Sequence, residues 1–595
     1  MDGIFGAIKR MLVYKRPRDP EGGFELLEDD LEGIDVEDVP SGKYQQQTGN
    51  EKREQAGENQ NRGNKRNIKQ PMPVDTWNRT KKDGHEDAEC PNEKTCLVSE
   101  DLQANIEYLK KRFSMPKNQD IIIRQFKIAR KIKAFILFVD EMADKTTINQ
   151  FILPQLLSPQ NDAASISECP MDYIRENVLS ITQLTETSDF NKIISEVLNG
   201  LSALFIEGCD KALLMESRGF EKRNIDRPVT EQAVRGSQEG FTENLRTNLT
   251  LLRRIVKNPK LITEIIPVGK ENRINSAMLY IEGIANPKIV REVRRRISNI
   301  NIDFIEGNGM LEQLIEDSPF TLLPQVISTE RPDRAASFLA DGQVVIITEG
   351  CPFAMAVPVS FFHLFHSPEE AALRWQYGTF IRLIRLVGVF SALLVPGLYV
   401  ALSLYHPEMI PSALLESIAK SRAIVPFPTI LELVIMEISF ELIREGGIRI
   451  PNVFGQTLGI VGALILGQVA VAAGLATPML IVIVAVTGLG NFTMPNYSTA
   501  LTIRILRFFF IFAGGIAGFY GISLALTAVA AMACHTKSFG QPFLSPVAPR
   551  TKINPDVIIR QPIFNQKMRP DPLNTPKRKN ISDKPRAWTE KEDAD

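Results

Sequence analysis

LVGVFSALLVPGLYVALSLY, residues 386–405, runs for twenty positions without a charge. A helix rises 1.5 Å per residue, so this stretch matches the roughly 30 Å hydrocarbon core of a bilayer. Pro396, near its middle, lacks an amide hydrogen and predicts a kink. Three further apolar runs cover residues 457–476, 478–491 and 505–534. The first two of these are joined only by Gly-Leu-Ala-Thr-Pro, a link short enough to demand an antiparallel hairpin. The last run is interrupted by Gly514, Gly515, Gly518 and Gly521.

A fifth candidate, residues 424–443 (IVPFPTILELVIMEISFELI), carries Glu432, Glu437 and Glu441. Glu437, Glu441 and Glu445 fall at i, i+4 and i+8 and share one helix face. The opposite face is Leu, Ile, Val, Met and Phe. A carboxylate at the bilayer centre costs about 3 kcal/mol or more, so that face must meet protein, water or the interface. With Gln468, Thr487 and Asn491, which place neutral polar groups at membrane depth, Glu432, Glu437, Glu441 and Glu445 are the candidates for lining an ion path. The alternative pairs the glutamates with Arg382, Arg385 or Arg449 inside the bundle. Gly455, Gly459, Ala463 and Gly467 recur every fourth residue, and Gly514 and Gly518 repeat the spacing. Such small-residue ridges let helices approach backbone to backbone, within one chain or between subunits.

Arg374, Arg382 and Arg385 precede the first run and Arg504 and Arg507 the last, which the positive-inside rule places in the cytoplasm. If 424–443 spans, five crossings leave the C-terminus outside; if it is re-entrant or interfacial, four leave it inside. The basic tail (PKRKNISDKPR) favours inside, but Arg444 and Arg449 then fall outside.

N-terminal to this block the composition changes. Residues 1–98 are rich in Gln, Asn, Glu, Lys and Gly and are expected to be disordered. MDGIFGAIKRMLVYKR is amphipathic and basic, without the apolar core of a secretory signal, so the soluble part is expected in the cytoplasm. From residue 101, LQANIEYLKKRF predicts a helix, AFILFVDEM a buried strand, and residues 147–157 another helix. ALFIEGCDKALLMES predicts a hairpin, SAMLYIEGI and DGQVVIITEG strands, and IVREVRRRI a basic helix. The fold expected is therefore an α/β soluble region in two lobes, an all-α polytopic transmembrane bundle of four to five helices, and a polar tail. The segments are 1–98, 99–235, 236–375, 376–535 and 536–595.

The net charge of −1 excludes a nucleic-acid footprint. Six scattered cysteines have no metal or redox spacing. No phosphate loop, dinucleotide fingerprint, nucleophile elbow or zincin helix is present, so neither catalysis nor a cofactor is expected. His363 and His366 form an isolated H-x-x-H without a third ligand, and no metal is expected there.

RGSQEGFTENLRTNLTLLRR, YIEGIANPKIVREVRRRI, STERPD (328–333), PEMIPSALLESIAKSR, VPFPTILELVIMEISFELIREGGIRIP, GIVGALILGQVAVAAGLATP and SFGQPFLSPVAP together resemble the A-subunit (GerA) family of bacterial spore germinant receptors, in order from about residue 100 to 570. The resemblance implies residence in the spore inner membrane. It implies action beside a transporter-like B subunit and a lipoprotein C subunit in nutrient-triggered germination, and oligomerisation of the A subunit into a cation channel. It also admits the stage V paralogue, which lacks nutrient specificity of its own.

Overall fold

The computed structural model describes residues 97–140, 142–158, 170–219, 227–449, 467–551 and 556–581. The polar segment read over 1–98 lies almost wholly outside the described residues, as do Gly455, Gly459 and Ala463.

The soluble region is two copies of one design. In the first lobe α1 (Leu102–Arg112) precedes the hairpin β1 (Ile121–Ile128) and β2 (Ile132–Val139). After two helical segments come β3 (Leu184–Thr187), α2 (Phe190–Val197), β4 (Ser202–Ile206) and β5 (Ala212–Met215). The strand order is β1-β2-β4-β5-β3, antiparallel throughout. The second lobe repeats it element for element. α3 (Leu245–Ile255), β6 (Leu261–Val268) and β7 (Ile274–Ile281) lead to α4 (Pro287–Ser298) and α5 (Asn308–Ile315). β8 (Ile327–Thr329), α6 (Pro332–Asp341), β9 (Val344–Thr348) and β10 (Ala354–Val357) complete it, in the order β6-β7-β9-β10-β8.

Each sheet is buried on both faces. α1 and α2 cover one face of the first sheet, and the helical segments of 147–157 and 170–178 cover the other. α3 and α6 lie on one face of the second sheet, α4 and α5 on the opposite one. The central strands β4, β5, β9 and β10 are accordingly apolar at nearly every position instead of alternating. The copies agree in detail. Asp101 caps α1 while Asn105 bonds the Ser99 backbone, and Asn244 caps α3 while Asn248 bonds that of Thr242. In both, a capping side chain satisfies amides that the first helical turn leaves open.

The lobes are fastened by a buried ion pair. Arg253 on α3, 2% exposed, donates to both Asp120 carboxylate oxygens at 2.7 and 2.8 Å. Asn118 and Gln119 beside it bond the backbone of β6, so the loop before β1 docks on the second sheet.

The helical block begins with α7 (Trp375–Tyr405), followed by the short α8 (Ser412–Arg422), then α9 (Thr429–Arg449), α10 (Pro478–Phe492) and α11 (Tyr497–His535). Among the described residues two helices, α7 and α11, are long and apolar enough to cross a membrane. α9 is the segment read at 424–443, one continuous helix of 21 residues.

The last apolar run is not one straight rod. At Ala517 and Gly518 the backbone leaves the helix, Gly518 taking φ 58° and ψ −140°, a conformation that only glycine adopts freely. The chain turns back there: Phe510 packs with Ile522 and Ala525, while Ala533 joins the core of the second lobe. Both ends of α11 therefore sit at the lobe-2 end of the bundle. Thr502 Oγ1 donates to the Leu322 carbonyl at 2.5 Å, and Ser538 Oγ to that of Gln325 at 2.7 Å. At the far end Tyr405 Oη donates to the carbonyls of Gly515 (3.0 Å) and Ile516 (2.7 Å). The turn at Gly518 adds one pass through the bundle, and the tail returns to the soluble lobe.

Candidate functional site

The acid stripe on α9 faces α11. α9 runs from the far end of the bundle, where Ile430 abuts Gly515, back toward the lobes, while the first half of α11 runs the other way. Glu437, 1% exposed, accepts from Arg507 Nη1 at 2.5 Å; Arg507, 3% exposed, also donates through Nε to the Ala392 carbonyl at 3.0 Å. One helical turn on, Glu441 accepts from Arg444 at 2.5 Å and lies 3.8 Å from Arg504. Glu445, another turn on, is exposed. The stripe thus grades from a closed ion pair inside the bundle to an exposed carboxylate at the lobe-2 end.

Glu432 points the other way and is also buried. Its carboxylate accepts from the Thr477 amide at 2.5 Å, one of the amides that open α10. A buried carboxylate there meets the positive end of a helix dipole and satisfies an open N–H. The buried hydroxyl of Thr429 has no hydrogen-bond partner among the described residues, and those of Thr477 and Tyr399 lie against each other.

The neutral candidates separate. Thr487 is buried and bonds within its own helix, to the Ile483 carbonyl at 2.7 Å. The Asn491 amide, oriented to satisfy both neighbours, accepts from Arg504 Nε at 2.7 Å and donates to the Ala500 carbonyl at 3.2 Å. Asn491 therefore joins the Glu441 end of the stripe, whereas Gln468 is exposed on the outside.

The glycines make close crossings within the chain. A Cβ on Gly514 would lie 2.6 Å from the Gly397 carbonyl oxygen, and one on Gly490 2.4 Å from that of Gly388. α7 thus meets α11 and α10 backbone to backbone. Gly518 lies against the Tyr405 ring, and Gly467 makes ordinary contact with Ile481.

Two of the arginines expected to partner the stripe serve elsewhere, and the side chain of Arg449 lies outside the described ones. Arg382 and Arg385 are buried at the base of α7, and both bond Glu370, each at 2.5 Å. Arg382 also reaches Asp556 in the tail at 2.5 Å, and Arg385 the Thr493 carbonyl at 3.1 Å. Arg560, from the tail, bonds the backbone carbonyls of Glu370 and Leu373. Glu370 and Arg382 thereby tie together lobe, α7 and tail. Burial pushes the Glu370 carboxyl up, but the guanidiniums of Arg382 and Arg385 outweigh it and hold it below the usual range. Arg504 and Arg507, read as flanking charges, are instead the stripe's partners inside the bundle.

His363 and His366 are packed edge to face, ring centroids 6.0 Å apart. His366 Nε2 bonds the Val557 carbonyl at 2.8 Å, and His363 Nδ1 lies 3.3 Å from the Ser360 amide. Burial lowers both, His363 to about 3, so both rings are neutral at physiological pH. Among the described residues no group of three His, Cys, Asp or Glu is placed to hold a metal ion.

A family profile described as Bacillus/Clostridium GerA spore germination protein matches residues 107–572. Spore germination protein KA of Bacillus subtilis (strain 168) is 36% identical over 485 residues, covering 81% of this chain and 88% of that protein. Spore germination protein GerLA of Bacillus cereus is 37% identical over 481 residues, covering 80% and 97%. A protein described as uncharacterized membrane protein YfkQ, of B. subtilis (strain 168), is 35% identical over 475 residues, covering 80% and 91%. Among solved structures, the N-terminal domain of the A subunit of the Bacillus megaterium spore germinant receptor GerK3 is 30% identical, with a TM-score of 0.35, covering 44% of this chain and 97% of that one.

Proposed function

The chain belongs to the GerA family of spore germination proteins, and from that premise we propose that it is the A subunit of a spore nutrient germinant receptor whose helical bundle is a gated cation path. The observation that carries this reading is the α9 stripe, an array of carboxylates in an apolar bundle whose innermost member, Glu437, is held shut by Arg507. In a low-dielectric interior that pair leaves no free negative charge for a cation to meet. Separating α9 from α11 releases Glu437 onto a line that continues through Glu441 and Asn491 to the exposed Glu445. The buried hydroxyls of Thr429, Thr477 and Tyr399 near Glu432 continue the polar lining at the opposite end.

In this reading the bundle is embedded in the spore membrane with the α/β region on the cytoplasmic side. The turn at Gly518 supports a tail on that same side, consistent with the basic residues there. Second copies of this chain, a transporter-like B subunit and a lipoprotein C subunit complete the receptor. Glu370 joins lobe, α7 and tail in one buried cluster, which gives a soluble-side movement a route to the bundle.

A second reading has its own observation. Glu437 and Arg507 make a short buried pair, and such pairs fix helix register without conducting. The chain is then a rigid transmitting subunit. Both readings require germination phenotypes. Spores lacking this chain are compared with parent spores for potassium release on a panel of amino acids, sugars and nucleosides. Loss of the response to at least one nutrient is expected. A full response to every nutrient that the parent recognises overturns the receptor assignment.

A further inference from the structure

The segment SFGQPFLSPVAP, residues 538–549, closes a cavity of about 300 Å³ against the end of α6 and the turn bearing His363. At roughly 30 Å³ per water-sized group, that space admits on the order of ten heavy atoms. Several of its walls are spoken for. The Arg334 guanidinium is held by Glu231 and the His366 carbonyl, and that of Arg382 by Glu370 and Asp556.

Four lining groups are not. Gln541 is 4% exposed and Ser545 1%, yet Gln541 Nε2 and Ser545 Oγ have no hydrogen-bond partner among the described residues. Leaving a buried polar atom unpaired costs about 1–3 kcal/mol, so two in one wall ask for an occupant. Asp341, the last residue of α6, has neither hydrogen bond nor ion pair among the described residues, although the helix dipole already makes that end negative. The nearby Arg569 guanidinium spends its donors on the carbonyls of Ala340, Lys577 and Lys579. His363 Nδ1 accepts from the Ser360 amide, which leaves the hydrogen on Nε2 as a further donor. The cavity thus offers a carboxylate whose neighbouring cation, Arg569, makes no direct ion pair with it among the described residues, and a set of neutral donors.

We propose that this cavity binds a small organic cation, its ammonium group paired with Asp341 and a hydroxyl or carbonyl oxygen accepting from Gln541 Nε2 and Ser545 Oγ. A bare inorganic cation is too small to meet both walls, and a carboxylate-only ligand places like charge against Asp341. The ligand's walls come from α6, the base of α7 and the tail, the same three parts that Glu370 joins. The site does not depend on conduction by the bundle.

The test uses the full chain in detergent, with serinol as probe, glycerol as its uncharged analogue and potassium chloride as the inorganic cation. The readout is the ligand-dependent rise in melting midpoint. A saturable rise is expected with serinol and none with glycerol. Asp341→Asn is expected to weaken serinol at least tenfold. Ser545→Ala should weaken it three- to tenfold without lowering the ligand-free midpoint, because Ser545 Oγ has no hydrogen-bond partner among the described residues. If Asp341→Asn fails to fold, Ser545→Ala alone decides. No saturable rise with serinol, a rise indifferent to Ser545→Ala, or an equal rise with potassium chloride overturns the proposal.

Discussion

Replacing Arg507 with glutamine leaves Glu437 buried, with its only guanidinium partner among the described residues gone. Orphaning one member of a buried pair costs about 3–5 kcal/mol, whereas losing a neutral hydrogen bond, such as that to the Ala392 carbonyl, costs about 0.5–1.5 kcal/mol. The charge term therefore dominates Arg507→Gln. Glu437→Gln is expected to cost a similar amount by stranding Arg507. The double variant sets two amides side by side and carries no orphan charge, so it should be more stable than the sum of the singles predicts. Denaturant titration of the purified chain in mild detergent, followed by circular dichroism, should give a coupling energy of about 2 kcal/mol or more from the four proteins. Additivity within about 0.5 kcal/mol would show that the two side chains act independently, and the closed pair would have to be abandoned.

Arg253→Ala strands Asp120 between the lobes and should cost about 3–5 kcal/mol, read as a lower melting midpoint and faster proteolytic cleavage between them; an unchanged midpoint contradicts the clamp. Gly518→Ala forces a side chain into a backbone conformation costing about 1–3 kcal/mol and against the Tyr405 ring, so wild-type stability in that variant argues against the turn. Burial raises Glu312 and Glu316 on and beside α5 to about 7 each. Because these folded values exceed the unfolded ones, the folded state gains stability as pH falls from 8 to 6 and loses it as pH rises through 7. Glu312→Gln with Glu316→Gln should flatten the melting midpoint over that range, and an undiminished slope would assign it elsewhere.

Much of the fold was legible from apolar runs. β7, β9 and the β4–β5 hairpin are long enough and uniformly apolar enough to declare themselves, with Gly-Cys-Asp marking the turn. β1 and β6 mix charged residues and a proline with their apolar ones, and as outermost strands of their sheets they carry less of a burial pattern. The duplication of the lobes is hidden in sequence because it survives in residues around two helix starts, Asp101 and Asn105 against Asn244 and Asn248, and not in long identical runs. The reversal at Gly518 was hidden for a different reason. Hydropathy is continuous across it, and only the four glycines hinted that the run bends. At the site, the spacing of Glu437, Glu441 and Glu445 gave the shared face of α9. Their partners are not readable, since Arg507 stands 70 residues from Glu437 in sequence and, like Arg504, resembles a flanking charge until the helix pairing is known. Glu370 is equally inconspicuous in the sequence. Its signal was the capping-box pattern Ser367-Pro-Glu-Glu370 ahead of a helix whose arginines needed an acid.

The decisive measurement is potassium efflux from liposomes containing the purified chain, wild type against Arg507→Gln. If Arg507 holds the path shut, wild-type vesicles stay tight while Arg507→Gln vesicles leak, and adding Glu437→Gln to that variant reduces the leak. Vesicles that remain equally tight with all three proteins, each shown to be folded and inserted, would mean that the α9 carboxylates do not line a cation path.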